Sequence, residues 1–182
     1  FAYCFAGGET CVIDLAQGEV RPGDVVEAVF DGSVVKTAFN ANFERTCLSK
    51  YFGRYLPPDS WHCSAVQAAV LALPRSLEDV GAVLGLDERK MKEGRELIRY
   101  FCVPCKPTKA NGGRRRNLPC HAPEKWEVFK SYCVRDVDVE KAIRRKLGKF
   151  PIPEGEMDVY RLDQRINDRG VLVDMGLVRQ AV

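Results

Sequence analysis

Residues 2–6 and 10–15 are β-type apolar runs, and Gly7-Gly8-Glu9 lies between them. That arrangement predicts a hairpin. After a Pro-Gly turn, Val25, Val26 and Val29 fall at helical spacing in 23–30. Residues 33–39 read as a strand. A helix follows at once, with Phe43, Cys47, Leu48, Tyr51 and Tyr55 recurring at helical spacing until Pro57-Pro58 ends the unit. The second half is mostly helical. An alanine-rich apolar helix is predicted over 62–73, with Pro74 as its stop, and Trp61 and His62 at its start carry no assigned role. Ser76 opens a short helix over "SLEDVGAVLGL", and "KEGRELIRYF" (92–101) makes another. Proline, glycine and basic residues mark 103–122 as a long loop, and such loops tend to be functional. The longest helix spans 123–147, a Pro-rich linker covers 150–153, and a helix over 156–169 is capped by Gly170. Strands alternating with helices, then helices alone, argue for an α/β layer domain with a helical extension.

Composition adds a few limits. The 182 residues are 46% hydrophobic and 29% charged, which suits an ordinary soluble core. No apolar run reaches membrane-spanning length and the first residues do not form a signal peptide, so a cytoplasmic location is expected. Cys4, Cys11, Cys47 and Cys133 lie in apolar runs, which predicts buried free thiols in a reducing compartment. A net charge of +3 decides nothing, but its distribution matters. Lys106, Lys109, Arg114, Arg115 and Arg116 stand together with no acid among them, as a polyanion-binding surface or a solvated loop. The chain opens at Phe1, inside an apolar run, and reads as a fragment or processed product.

The helix 123–147 carries the most informative residue. Its apolar face runs through Trp126, Phe129, Tyr132, Val139, Ile143 and Leu147, and Asp136 falls in the gap on that face, four residues from Tyr132. A carboxylate there must be paired, hydrogen-bonded or metal-bound, or else lie at the rim beside a cation. Glu44 lies in the first turn of the helix after strand 33–39, where it complements the helix dipole and where Asn42 could cap. The carboxyl ends of strands in open α/β sheets are also where ligands collect. Two carboxylates and a tyrosine from distant segments point to a metal-assisted hydrolase, although two-metal cleavage needs more carboxylates than these. A separate zinc reading rests on Cys102, Cys105, Cys120 and His121, against which Cys120 and His121 are adjacent.

Tyr132-Cys-Val-Arg-Asp136 matches the Tyr-x-x-x-Asp third motif of the DEDD 3′→5′ exonucleases. Asn40-Ala-Asn-Phe43-Glu44 resembles their second motif, with Glu for the more usual Asp. "KTAFNANFERTCLSKY", "KPTKANGGRRRNLP" and "PEKWEVFKSYCVRDV" resemble the exonuclease region of phage and prophage DNA polymerases of the polymerase I type, family A. "LDQRINDRGVLVD" (162–174) resembles the start of the polymerase portion of those enzymes.

The resemblance implies an RNase H-like fold, a mixed five-stranded sheet flanked by helices, over residues 1–150. Residues 151–182 would then be the linker and the beginning of the polymerase portion. It implies Glu44 and Asp136 as ligands of Mg²⁺ or Mn²⁺ in a two-metal site, and Tyr132 as the residue that orients the attacking water. The partner would be a single-stranded DNA or primer 3′ end, contacted by Asn40, Phe43 and the basic loop (Lys106, Lys109, Arg114, Arg115, Arg116). The family's Asp-x-Glu first motif is absent, so the opening hairpin is expected to be the second and third strands, with the first strand missing. Two readings follow: the exonuclease domain of a polymerase, or a non-catalytic module that holds single-stranded DNA. Exposed sheet edges would favour self-association.

Overall fold

The computed structural model describes residues 1–86 and 94–181. It is α/β and mostly helical. The opening hairpin forms as expected: β1 (Ala2–Tyr3) pairs antiparallel with β2 (Cys11–Val12), Ala2 opposite Val12. Helix α1 (Gly23–Phe30) follows, buried through Val25 and Val29, four apart on one face. Strand β3 (Lys36–Ala38) then runs into α2 (Ala41–Phe52). Asn40 makes the junction in the left-handed conformation, φ 73°, a region that asparagine tolerates better than most residues.

Trp61 and His62 depart from the sequence expectation. With Cys63 they form β4 (Trp61–Cys63), parallel to β3 with Lys36 opposite Trp61 and Ala38 opposite Cys63. Trp61 and Cys63 point into the core and His62 points out, the period of two that a strand imposes. Three residues are too few for that period to stand out beside the alanine-rich run. That run is helical only over α3 (Ser64–Val70) and stops four residues before Pro74. The remaining helices are α4 (Leu77–Val83), α5 (Gly94–Cys102), α6 (Pro123–Leu147), α7 (Glu154–Arg169) and α8 (Met175–Ala181). The Ser76 side chain caps α4 through the Asp79 amide. Lys92 and Glu93, the first positions of the helix expected over 92–101, lie outside the described residues. Helix α8 carries no expectation from the sequence pattern.

The strands do not join into one mixed sheet. Among the described residues they make two separate pairs, antiparallel β1–β2 and parallel β3–β4. Two cores hold the chain together. Val29, Ala41, Leu56, Trp61, Cys63, Met157 and Tyr160 form the first, so α7 packs against the β3–β4 side. Ala68, Val80, Val139, Ile143 and Leu147 form the second, where α3 and α4 meet α6. Full burial of side chains such as Ile143 contributes about 1.5–3 kcal/mol each, so these cores fix where α2 and α6 lie. The eight cysteines are all free thiols, as expected, but Cys63 alone is buried, and Cys11 and Cys47 face solvent. Both sit on the outer side of their elements, because an apolar neighbourhood in sequence does not choose the face.

Candidate functional site

Helix α6 presents Tyr132, Asp136 and Glu140 at successive four-residue steps, on one side of the helix. Tyr132 is buried, and its hydroxyl donates to the Asp136 carboxylate. Burial, and then that bonded carboxylate, push the phenol well above its ordinary range. Asp136 is half-buried beneath it. Helix α5 covers the ring: a Cβ at Gly94 would collide with Tyr132 Cε2, so only glycine permits this approach. Phe129 stacks on Tyr132 at 6.1 Å, and Phe101 and Trp126 extend the aromatic row. The row ends at Asp14, a buried carboxylate that accepts the Trp126 indole N–H at 2.6 Å.

Glu44 enters from α2. Burial pushes its carboxyl up to about 7; its own backbone N–H offsets part of the rise, and the Glu140 carboxylate adds to it. Its Oε2 is buried with no hydrogen-bond partner. Glu140 is itself buried, raised by burial and partly relieved by the Ser64 hydroxyl, which donates to it at 2.6 Å. Tyr132 is thus joined to Asp136, and Glu44 faces Glu140 one turn farther along the same helix. Glu140 was not foreseen. Its position, four residues beyond Asp136 on the apolar face, is the signal that could have found it. Asn42 does not cap α2; its side-chain oxygen accepts from Arg45, inside the helix, at 3.1 Å. Asn40 and Phe43 are exposed at the start of α2, open to a ligand.

The basic loop is ordered by its own asparagines. The Cys105 amide donates to Arg115 O at 2.8 Å, and Asn111 bonds to Thr108 N and Lys106 O. Arg114 is committed to the loop, donating to Asn117 Oδ1 and Asn111 O. Lys106, Lys109, Arg115 and Arg116 are exposed. Cys102, Cys105, Cys120 and His121 are not gathered as a zinc site requires; Cys102 and Cys120 are exposed, and His121 Nδ1 accepts from the Leu118 amide at 2.8 Å. Among the described residues no three His, Cys, Asp or Glu side chains are grouped to hold a metal ion. No described helix is long and apolar enough to cross a membrane.

Over its whole length of 182 residues the chain is 53% identical to the DNA polymerase of Bacillus phage SP02. It resembles part of a phage DNA polymerase. The match covers 28% of that relative's length. No family model and no solved structure matches the chain.

Proposed function

We propose that this segment is the 3′→5′ exonuclease-type unit of a family A phage DNA polymerase, built on an RNase H-like plan. Its substrate in the full-length protein is the 3′ end of a DNA single strand. The observation that carries the reading is the pairing of Tyr132 with Asp136 on α6, with the partly buried carboxyl of Glu44, one oxygen of it lacking a donor, on the helix after β3. A buried carboxyl oxygen without a donor is costly unless something binds it. Mg²⁺ or Mn²⁺ fits that oxygen's chemistry, with Glu44 and Asp136 as the residues that would hold it. The chemistry such ions would supply there is easier deprotonation of water and relief of the charge that develops on the leaving oxygen.

The described residues alone do not supply a complete ligand set. The reading therefore assigns the other two carboxylates to an Asp-x-Glu strand elsewhere in the full-length protein. The work of this chain's own residues is to position. The Asp136 carboxylate holds the Tyr132 hydroxyl, and the aromatic row fixes the ring, so the phenol is set for one direction of approach. Exposed Asn40 and Phe43 would meet the terminal nucleotides, with the aromatic ring as a stacking surface. Lys106, Lys109, Arg115 and Arg116 would hold phosphates farther along the strand.

The test is a Mg²⁺- or Mn²⁺-dependent assay on labelled single-stranded DNA, comparing the 182-residue chain with the full-length protein. The expected result is 3′→5′ degradation by the full-length protein, lost in Asp136→Ala, and little by the short chain. Strand binding without degradation by either would favour a non-catalytic module.

A further inference from the structure

Arg45 follows Glu44 directly, yet its side chain is 1% exposed, among the most buried in the molecule. It forks onto Asp168 of α7, Nη1 to Oδ2 at 2.8 Å and Nη2 to Oδ1 at 2.6 Å. It also donates to Leu56 O at 3.0 Å, to Asn42 Oδ1, and to Gln164 Oε1 at 3.4 Å. The Tyr55 hydroxyl completes Asp168 at 2.8 Å. Burial would raise the Asp168 carboxyl, but the Arg45 fork outweighs it and holds the group below its ordinary value.

Ala41 and Arg45 are the two buried residues of α2, while Leu48 and Phe52 are only partly covered. Core contacts through Ala41, Leu48 and Phe52 place the helix, and the other buried side chain that bears on its rotation is Arg45. A planar guanidinium paired at two points fixes that rotation, because the two bonds hold only in one orientation. We infer that Arg45, through Asp168 of α7, is a positioning residue that sets the rotation of α2 and so the placement of the Glu44 carboxylate. The inference rests on the site reading above. Arg45 and Glu44 are neighbours on one rigid turn, so α2 cannot turn at one without turning at the other. A rotation of about 20° would carry a side chain at the helix surface by about 2 Å. Errors of that size at a reacting centre can cost on the order of a hundredfold in rate. On this account α7 is a working part of the site.

The test uses the full-length protein with Asp168→Asn, Arg45→Lys and, as reference, Glu44→Ala. Cleavage of a labelled single strand gives kcat and KM, and amide hydrogen exchange of 41–52 and 123–147 is read without metal. Asp168→Asn should lower kcat at least tenfold with KM within twofold. It should speed exchange in α2 while leaving α6 unchanged. Arg45→Lys, which keeps the charge and loses the fork, should act in the same direction and less strongly. The inference is overturned if both variants keep kcat and α2 exchange within twofold of the parent while Glu44→Ala abolishes cleavage. Normal cleavage by Glu44→Ala would instead overturn the site reading, and with it the role given to Arg45.

Discussion

Glu44 and Arg45 are adjacent on one helix, both carry ionisable groups away from water, and the protein treats them in opposite ways. Arg45 has every reachable acceptor arranged around it, from three segments of the chain. Glu44 faces another acid, Glu140, and keeps one oxygen without a donor. A group that serves only the fold has its hydrogen bonding completed by the fold. A group left with unmet demand is either an error that selection tolerates or one half of an interaction completed by a ligand. The comparison points to Arg45 as scaffold and Glu44 as site.

The largest effect expected from this contrast is on stability. Arg45→Met strips the partly exposed Asp168 of its fork and takes a donor from the buried Leu56 O and Gln164 Oε1, at about 1–3 kcal/mol for each group left short. Glu44→Gln should cost nothing or stabilise, because it removes a like-charge contact. Urea denaturation of both variants checks this, and equal losses would erase the distinction.

A second effect comes from pH. The folded carboxyl of Glu44 stands at about 7, above its ordinary value of 4.5. Between those values the folded chain binds more protons than the unfolded one, so stability falls as pH rises through about 7. A rise of that size corresponds to about 3 kcal/mol, fully present below the unfolded value and lost above the folded one. The chain should therefore melt higher at pH 5 than at pH 8, and Glu44→Gln should reduce the difference. A pH slope unchanged in Glu44→Gln would remove Glu44 from the account.

Asp14 sharpens the contrast from a third place. Like Arg45 it is buried and fully matched: burial would raise its carboxyl, but the Trp126 and Gln17 bonds outweigh that and hold it low. Trp126→Phe removes the indole N–H and should cost about 1.5–3 kcal/mol, read from the same denaturation curves. No loss would show that a matched buried acid is not what holds α6 to the hairpin.

The smallest effect concerns the loop. With Arg114 held by Asn111 and Asn117, the four exposed cations set an upper bound of about −3 on the slope of log K against log[salt] for a single strand. Arg115→Ala with Arg116→Ala should flatten the slope, whereas Arg114→Ala should disturb the loop itself. An unchanged slope would leave the loop a solvated surface.

The reach of the sequence follows the length of each periodic signal. Helix α6 was legible to its ends, because 25 residues carry a helical apolar face and a proline start. Asp136 stood out as an acid set into that face. The hairpin and the capping Ser76 were legible through short-range turn and cap chemistry. Strand β4 was hidden, since three residues before an alanine-rich run show no period of their own. The Arg45–Asp168 clamp joins positions 123 apart in the chain, and no local pattern announces it. An arginine beside an acid on an amphipathic helix reads as surface, and only the packing of α7 reveals it as buried. Glu140 is visible by position, four residues beyond Asp136, but its partners Glu44 and Ser64 come from α2 and α3, so no local pattern gives it a role.

The central proposal is that Glu44 and Asp136 would hold a divalent cation with which the full-length protein cuts a DNA 3′ end. The most direct measurement is the Mn²⁺ dependence of single-strand cleavage by the full-length protein as a function of pH. If Glu44 must lose its proton to bind, the Mn²⁺ midpoint should rise up to tenfold for each pH unit below about 7, and should be flat above it. Asp136→Ala should abolish cleavage at every pH. A midpoint independent of pH, or robust cleavage by Asp136→Ala, would contradict the account.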